Sequence, residues 1–347
     1  GFVASAGGSI GLLAGGVLTD LISWHWIFFI NLPVGILTAY LALRLVDGRE
    51  GIGFDKGADI PGAALLTAGV MLAVYAILGV AEEGWLSVRT LGLGAIGLAL
   101  VAAFVARQAR IAQPLMPLRL FRSRNVVGAN LVMGLFVAGL FSMFFLGALY
   151  MQRVLGYEPL EVGLAFLPST VVMGMMSLGF AQRLNMRYGP RRVLIVALFL
   201  IAAGLLLFAR TPVDGSFIAD ILPPMLVLGF GAGMGFPSLM MLSMSGATPE
   251  DSGLASGLIN TTTQVGGAIG LAVLATLSTD RTEALVEAGE PIAQALNSGY
   301  HLAYLIGALL VGVALVVAFT VLRSGDGPGA VPEPVADAGP EPALAEA

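Results

Sequence analysis

The chain has 347 residues, 57% of them hydrophobic and 11% charged, with a formal net charge of −5. A soluble domain carries about 25% charged residues, and even a large one leaves much of its surface wet, so a water-soluble globular fold is excluded. With lipid as the solvent, backbone polar groups can be satisfied only within helices or a closed barrel. Barrel strands alternate apolar and polar over about ten residues. Here the apolar runs last roughly 20 residues without alternation, the helical length for a ~30 Å hydrocarbon core.

Ten such runs follow one another near 1–20, 26–46, 60–81, 88–106, 125–150, 160–181, 193–209, 221–245, 253–278 and 300–322. The first contains Gly7, Gly11 and Gly15 at i, i+4 and i+8, with Gly16 beside them, so the small residues share one helix face. The ninth carries Gly253, Gly257, Gly266 and Gly270. Small residues at this spacing let a second helix approach closely, because association in lipid relies on packing rather than hydrophobicity. The runs are grouped as two, two and six. The connection after the second holds Asp47, Arg49, Glu50, Asp55, Lys56 and Asp59, and an arginine-rich connection follows the fourth. Residues 323–347 are Pro, Ala, Glu and Gly without periodicity and read as a disordered cytoplasmic tail.

Of the 17 Lys and Arg residues, only Arg89, Arg153, Arg210 and Arg281 fall in one set of connections. The rest fall in the other, which the positive-inside rule makes cytoplasmic. Trp24, Trp26 and Trp85 then lie at outer ends, the interfacial depth that aromatic rings favour. His25 and His301 lie there too and read as interfacial hydrogen-bonders. No acid falls in the middle third of any run.

The absence of cysteine excludes a disulfide, thiol catalysis and a thiolate metal site. No metal, cofactor or nucleic acid is implied. GLGAIG at 92–97 fits the dinucleotide pattern by letter but lies within an apolar run without a βαβ unit. GFGAGMGF at 229–236 lacks the Lys-Ser/Thr of a phosphate loop. With no nucleophile, metal cluster or acid pair at membrane depth, an intramembrane enzyme is not expected.

Several stretches carry a family resemblance. GLLAGG at 11–16 is similar to the Gly-Pro-x-x-Gly-Gly motif of the fifth helix in major facilitator drug exporters, with Leu12 in the proline position. SWHWIFFINLPVG at 23–35 closely resembles the start of the sixth helix in the 14-spanner drug:proton antiporters of EmrB/QacA type. RLNMRYGPRR at 183–192 resembles the facilitator loop motif, with Asn185 where Asp is frequent. GLASGLINTTTQVGGAIGLAVLATL at 253–277 resembles that family's penultimate helix.

The resemblance implies an all-α, polytopic membrane protein of the major facilitator fold. Residues 1–46 would be the last two helices of an N-terminal half, and 47–124 cytoplasmic loops with two linker helices. Residues 125–322 would be a complete C-terminal six-helix half and 323–347 its tail. Four helices would precede Gly1 in such a protein, which would make the chain a truncated one. The implied activity is proton-coupled export of hydrophobic or amphipathic small molecules across the inner or plasma membrane by alternating access. A facilitator of an endogenous metabolite, or an inactive fragment, are the other readings.

By the same resemblance the cavity is lined by the runs at 125–150 and 221–245, nominating Asn130, Phe141, Phe145, Met234 and Met241. Asn260 and Gln264 join them, because intramembrane polar groups face the bundle interior. The glycine faces of the first and ninth runs would hold equivalent places at the interface between halves. They would form a sliding gate there, or serve ordinary packing with no moving part. In the loop motif, Arg183, Arg187, Arg191 and Arg192 satisfy the positive-inside rule, or Arg187 and Arg191 lock one conformation by pairing with helix ends or acids on neighbouring helices. Gly189 and Pro190 supply the turn.

Overall fold

The computed structural model describes residues 2–45, 59–111, 114–115, 121, 123–245 and 252–322. The predicted tail at 323–347 lies outside the described residues, as do Arg49, Lys56, Arg119, Arg122 and Arg323. The elements are α1 (Phe2–Leu21), α2 (Trp26–Phe29), α3 (Asn31–Leu45), α4 (Ile60–Leu78), α5 (Val80–Glu83), α6 (Val88–Gln108) and α7 (Arg124–Arg153). They continue with α8 (Pro159–Met175), a π-helical turn (Met176–Phe180), α9 (Ala181–Tyr188), α10 (Pro190–Phe208) and a second π-helical turn (Phe217–Ile221). The last three are α11 (Leu222–Met244), α12 (Ser252–Glu287) and α13 (Ile292–Thr320). No strand occurs among the described residues. Nine stretches of them, from Trp26–Leu45 to Ile292–Thr320, are long and apolar enough to cross a bilayer. In addition, α1 occupies the first predicted run. The molecule is an all-α, polytopic membrane protein.

Lipid tails are as apolar as leucine, so steric fit decides which helices meet. On α12, a Cβ at Gly266 would lie 2.7 Å from Gly134 Cα of α7, and one at Gly270 would lie 2.5 Å from Ala138 Cα. The small pair on α7 therefore meets the small pair on α12 backbone to backbone. One helix face further round, a Cβ on Gly139 of α7 would lie 3.2 Å from Gly307 O of α13. Three helices surround α11, and its glycines sort by partner. A Cβ on Gly229 would lie 2.6 Å from the Ser169 backbone of α8, one on Gly231 2.9 Å from Ala197 O of α10, and one on Gly235 2.7 Å from the Phe136 ring of α7. Around these crossings Phe136, Met143, Tyr150, Leu198, Leu205, Phe208, Tyr304 and Val311 close one core.

Outside this six-helix unit, α4 and α6 form a hairpin. Its crossing is again glycine on glycine, with a Cβ on Gly97 2.8 Å from Gly69 O and one on Gly69 3.0 Å from Gly97 O. The hairpin rests on α12, where Trp85 Nε1 donates to Asp280 Oδ2 at 3.5 Å. At its other end Asp59 caps α4, accepting from Gly62 N at 2.9 Å. Asp59 also accepts from Arg107 Nε and Gln108 Nε2 of α6, both at 2.7 Å. Burial of Asp59 raises its pKa, but the donors of Arg107, Gly62 and Gln108 outweigh that and hold the carboxyl below its ordinary value. Helix α1 packs along α8, whereas no residue of α3 is buried.

Two boundaries differ from those predicted. The ninth run ends near 278 and the tenth begins near 300, yet α12 continues to Glu287 and α13 starts at Ile292. At about 1.5 Å per residue the 36 residues of α12 reach about 54 Å, well past a ~30 Å core. The extra turns carry Asp280, Arg281, Glu283 and Glu287, which an apolar-run reading discards. Thr282 seals the hairpin by donating to Ser278 O at 2.8 Å, against Gly299 of α13. The predicted loop motif is also more helical than expected. Arg183 and Arg187 lie on α9, and the turn is Gly189 alone, at φ +82°, where glycine carries no Cβ penalty. The bend sits upstream, in the π-helical turn, where Gly179 has φ +125°.

Gly270→Ala is expected to destabilise the protein by about 1–3 kcal/mol through overpacking. Gly257→Ala, with open space at its Cβ position, should be neutral or stabilising by up to about 1 kcal/mol. Unfolding of both variants in mixed micelles checks the contrast. The Asp59 clasp contributes stability above the carboxyl's ordinary pKa of 3.8 and loses it as pH falls through the lowered folded value. Asp59→Asn should therefore flatten the acid limb of the hairpin's unfolding, read by the fluorescence of Trp85.

Candidate functional site

Contacts between helix ends establish which ends lie together. At one side Arg191, at the start of α10, donates from Nε to Ala318 O at 3.1 Å and from the guanidinium to Phe319 O at 2.6 Å. It thereby caps two carbonyls in the last turn of α13, which would otherwise lack partners. Asn125 Nδ2 donates to Ser245 Oγ at 3.3 Å on the same side. Arg107, Arg124, Arg183, Arg187 and Arg192 belong to this arginine-rich end. At the opposite end Tyr150 donates to Pro212 O at 2.6 Å. Asn297 Nδ2 and His301 Nε2 both reach Thr211 O, at 2.9 and 2.8 Å. His301, on α13, is thus a hydrogen-bonder to the connection between α10 and α11.

The candidate cavity residues separate into two groups. Asn130 is buried in the six-helix unit. Its Nδ2 donates to Val126 O at 2.8 Å, and its Oδ1 accepts from Thr262 of α12 at 2.9 Å. Met234 is buried against Val193 and Ala197 of α10. Phe141 lies across α12, with its ring 2.5 Å from the position of a Cβ on Gly267. These three residues serve helix packing, and Met241 is half-buried beside them. Phe145 is 47% exposed, and Asn260 and Gln264 are exposed as well.

The exposed group has a register. On α12, Gly253, Gly257, Asn260, Thr261, Gln264 and Ala268 are all exposed and recur at i+3 and i+4, so they form one face. Every member is small or polar. At about 1.5 Å per residue from the start of α12, Asn260 lies about 12 Å in and Gln264 about 18 Å in, bracketing the middle of a ~30 Å core. Thr261 returns its hydroxyl to Gly257 O at 2.9 Å, and Asn260 returns its amide to Ser256 O at 3.0 Å. Asn260 thus keeps an acceptor oxygen for an outside group. The opposite face of the same helix, through Gly266 and Gly270, is spent on α7.

The glycine faces of α1 and α12 are therefore not set against each other. Helix α1 lies on α8, and α12 lies on α7, α13 and the α4–α6 hairpin. Within α1, Gly7, Gly11 and Gly15 have open space at their Cβ positions, and Gly16 makes the backbone contact. Sequence reasoning passed over Thr262, Asn297 and Thr211, whose partners are remote in sequence. It named Asn185 only as a departure from the loop motif; the residue is buried and accepts from Ser238 of α11 at 2.8 Å. No local pattern marks such pairs. Among the described residues no group of His, Asp and Glu is arranged to hold a metal ion.

A family model described as the Major Facilitator Superfamily matches residues 1–271. The puromycin resistance protein pur8 of Streptomyces alboniger is 34% identical over 92% of this chain and 63% of its own length. The cephamycin export protein CmcT of Amycolatopsis lactamdurans is 39% identical over 80% of this chain and 57% of its own. The lincomycin resistance protein of Streptomyces lincolnensis is 35% identical over 78% of this chain and 56% of its own. The chain thus spans roughly three-fifths of the length of these curated relatives. The matched region runs from α1 through the α7–α12 crossing, and the chain belongs to the Major Facilitator Superfamily.

Proposed function

We propose that this protein exports hydrophobic or amphipathic small molecules, antibiotics among them, by alternating access coupled to an inward flow of protons. The observation that carries this reading is the exposed small and polar face of α12 at mid-membrane depth. Facing lipid, Asn260, Thr261 and Gln264 would be costly, and such residues turn toward a bundle interior or a wet cavity. A cavity of this kind, with a few polar groups, suits an apolar ligand with scattered hydrogen-bonding groups. The relatives named for puromycin resistance, cephamycin export and lincomycin resistance point to the same class of cargo. The grouping of spans as two, two and six supports a 14-spanner of EmrB/QacA type in the plasma membrane, with α4 and α6 as its linker pair. Proton coupling rests on the family resemblance.

In this reading the six spans from α7 to α13 move as one body, because close backbone crossings orient them and hydrogen bonds at their ends oppose sliding. The polar face of α12 then offers Gln264 and Asn260 to cargo from one side and the other as the body tilts. Arg191, by capping α13 from α10, holds the arginine-rich end of that body together.

The test is uptake into inside-out membrane vesicles under an imposed proton gradient. Puromycin and lincomycin are the probes. Accumulation that a protonophore abolishes is expected. Gln264→Leu should slow it by about tenfold, the loss of one hydrogen bond of about 1.4 kcal/mol to the cargo. Absence of gradient-driven uptake of either probe would remove the export reading.

A further inference from the structure

The N-terminus of α8 is completed by a residue from another part of the chain. Pro159 opens the helix and has no N–H to satisfy. Glu158 and Glu161 close a capping box, with Glu158 N donating to Glu161 Oε2 at 2.9 Å. Val162 N makes the first internal bond, to Glu158 O at 3.1 Å. Leu160 N–H is the remaining first-turn donor, and it donates to Asp20 Oδ2, 3.2 Å away at the end of α1. A carboxylate at a helix N-terminus is also favoured by the helix dipole. One turn earlier on α1, a Cβ on Gly16 would lie 2.9 Å from Leu160 Cα and 3.0 Å from Pro159 O. The hydrogen bond and the bare backbone contact therefore fall on the same two residues of α8.

Asp20 is exposed. Both its carboxylate and the Leu160 N–H can exchange this bond for water when the helices part. A bond with a small net free energy, placed where a glycine permits closest approach, biases a separation without forbidding it. From this geometry we propose that Asp20 is a latch joining α1 to α8 at the arginine-poor end. It is made when the two parts of the transporter close there and broken when they open. The proposal rests on the alternating-access reading and adds to it a named residue that positions the helices, without a role in binding cargo.

The native chain has no cysteine, so paired spin labels can be placed without background. Ile22→Cys and Leu164→Cys, both exposed, report the α1–α8 separation in lipid nanodiscs. Asp20→Ala is expected to raise the ratio of separated to joined molecules about two- to tenfold, the net worth of one hydrogen bond. Asp20→Asn, which keeps an acceptor oxygen, should stay nearer the parent. Gly16→Ala, with Asp20 intact, should raise the ratio by wedging the same contact. If Asp20→Ala leaves the distance distribution of the labelled parent unchanged, whether or not Gly16→Ala shifts it, the latch is overturned. Proton-driven uptake by the unsubstituted protein is measured alongside. A parent that transports while Asp20→Ala leaves the distances unmoved removes the latch alone. A distance shift in a parent that transports nothing upholds the latch and removes the transport reading.

Discussion

In lipid, no hydrophobic force selects one helix contact over another, so the structure depends on where two backbones can come within a few ångströms. That requires missing side chains on both sides of a crossing. The pairing of Gly134 and Ala138 with Gly266 and Gly270 meets the requirement for α7 and α12, and Gly139 with Gly307 meets it for α7 and α13. Each crossing orients its helix, so the remaining faces of α12 and α11 are assigned as a consequence. Were α12 rotated by half a turn, its glycines would face outward and the Asn260–Gln264 face would be buried against α7 with its polar groups unmatched.

Steric crossings orient helices but slide easily along their axes. The hydrogen bonds at the ends oppose that sliding. Arg191 on the last carbonyls of α13, Asn297 and His301 on Thr211 O, and Tyr150 on Pro212 O each join elements far apart in sequence. Asp59 performs the same task for the α4–α6 hairpin, holding the start of α4 to the end of α6. All of these contacts lie at span ends, where a lost bond can be replaced by water. Between them the cores are largely apolar; Asn130 and Thr262 satisfy one another, whereas the buried hydroxyls of Tyr300 and Tyr304 have no hydrogen-bond partner among the described residues. A body built this way is rigid internally yet has polar, exchangeable contacts along its rim, which suits a part that moves as a whole.

The sequence made much of this legible. Run length and the absence of alternation set the helical class, and the distribution of arginine sorted the connections into two sides that the end contacts reproduce. It also located the small-residue faces. It did not reveal their partners, because glycine spacing says that a helix is approached and not by which helix. Gly266 and Gly270 meet α7, and Gly16 meets α8, which no local pattern distinguishes. Hydropathy also stopped α12 near 278, since Asp280, Arg281 and Glu283 end an apolar run without ending a helix.

Among the nominated cavity residues the division is instructive. Asn130, Phe141 and Met234 have the right residue types, yet the structure uses them in packing, whereas Asn260 and Gln264 stay exposed. Composition and periodicity by themselves determined the solvent, the secondary structure and the polarity of each span, because these follow from local chemistry summed over about 20 residues. The tertiary structure alone decided which face of each span is used up in contact and which is left exposed, because that depends on atoms of other helices arriving within about 3 Å.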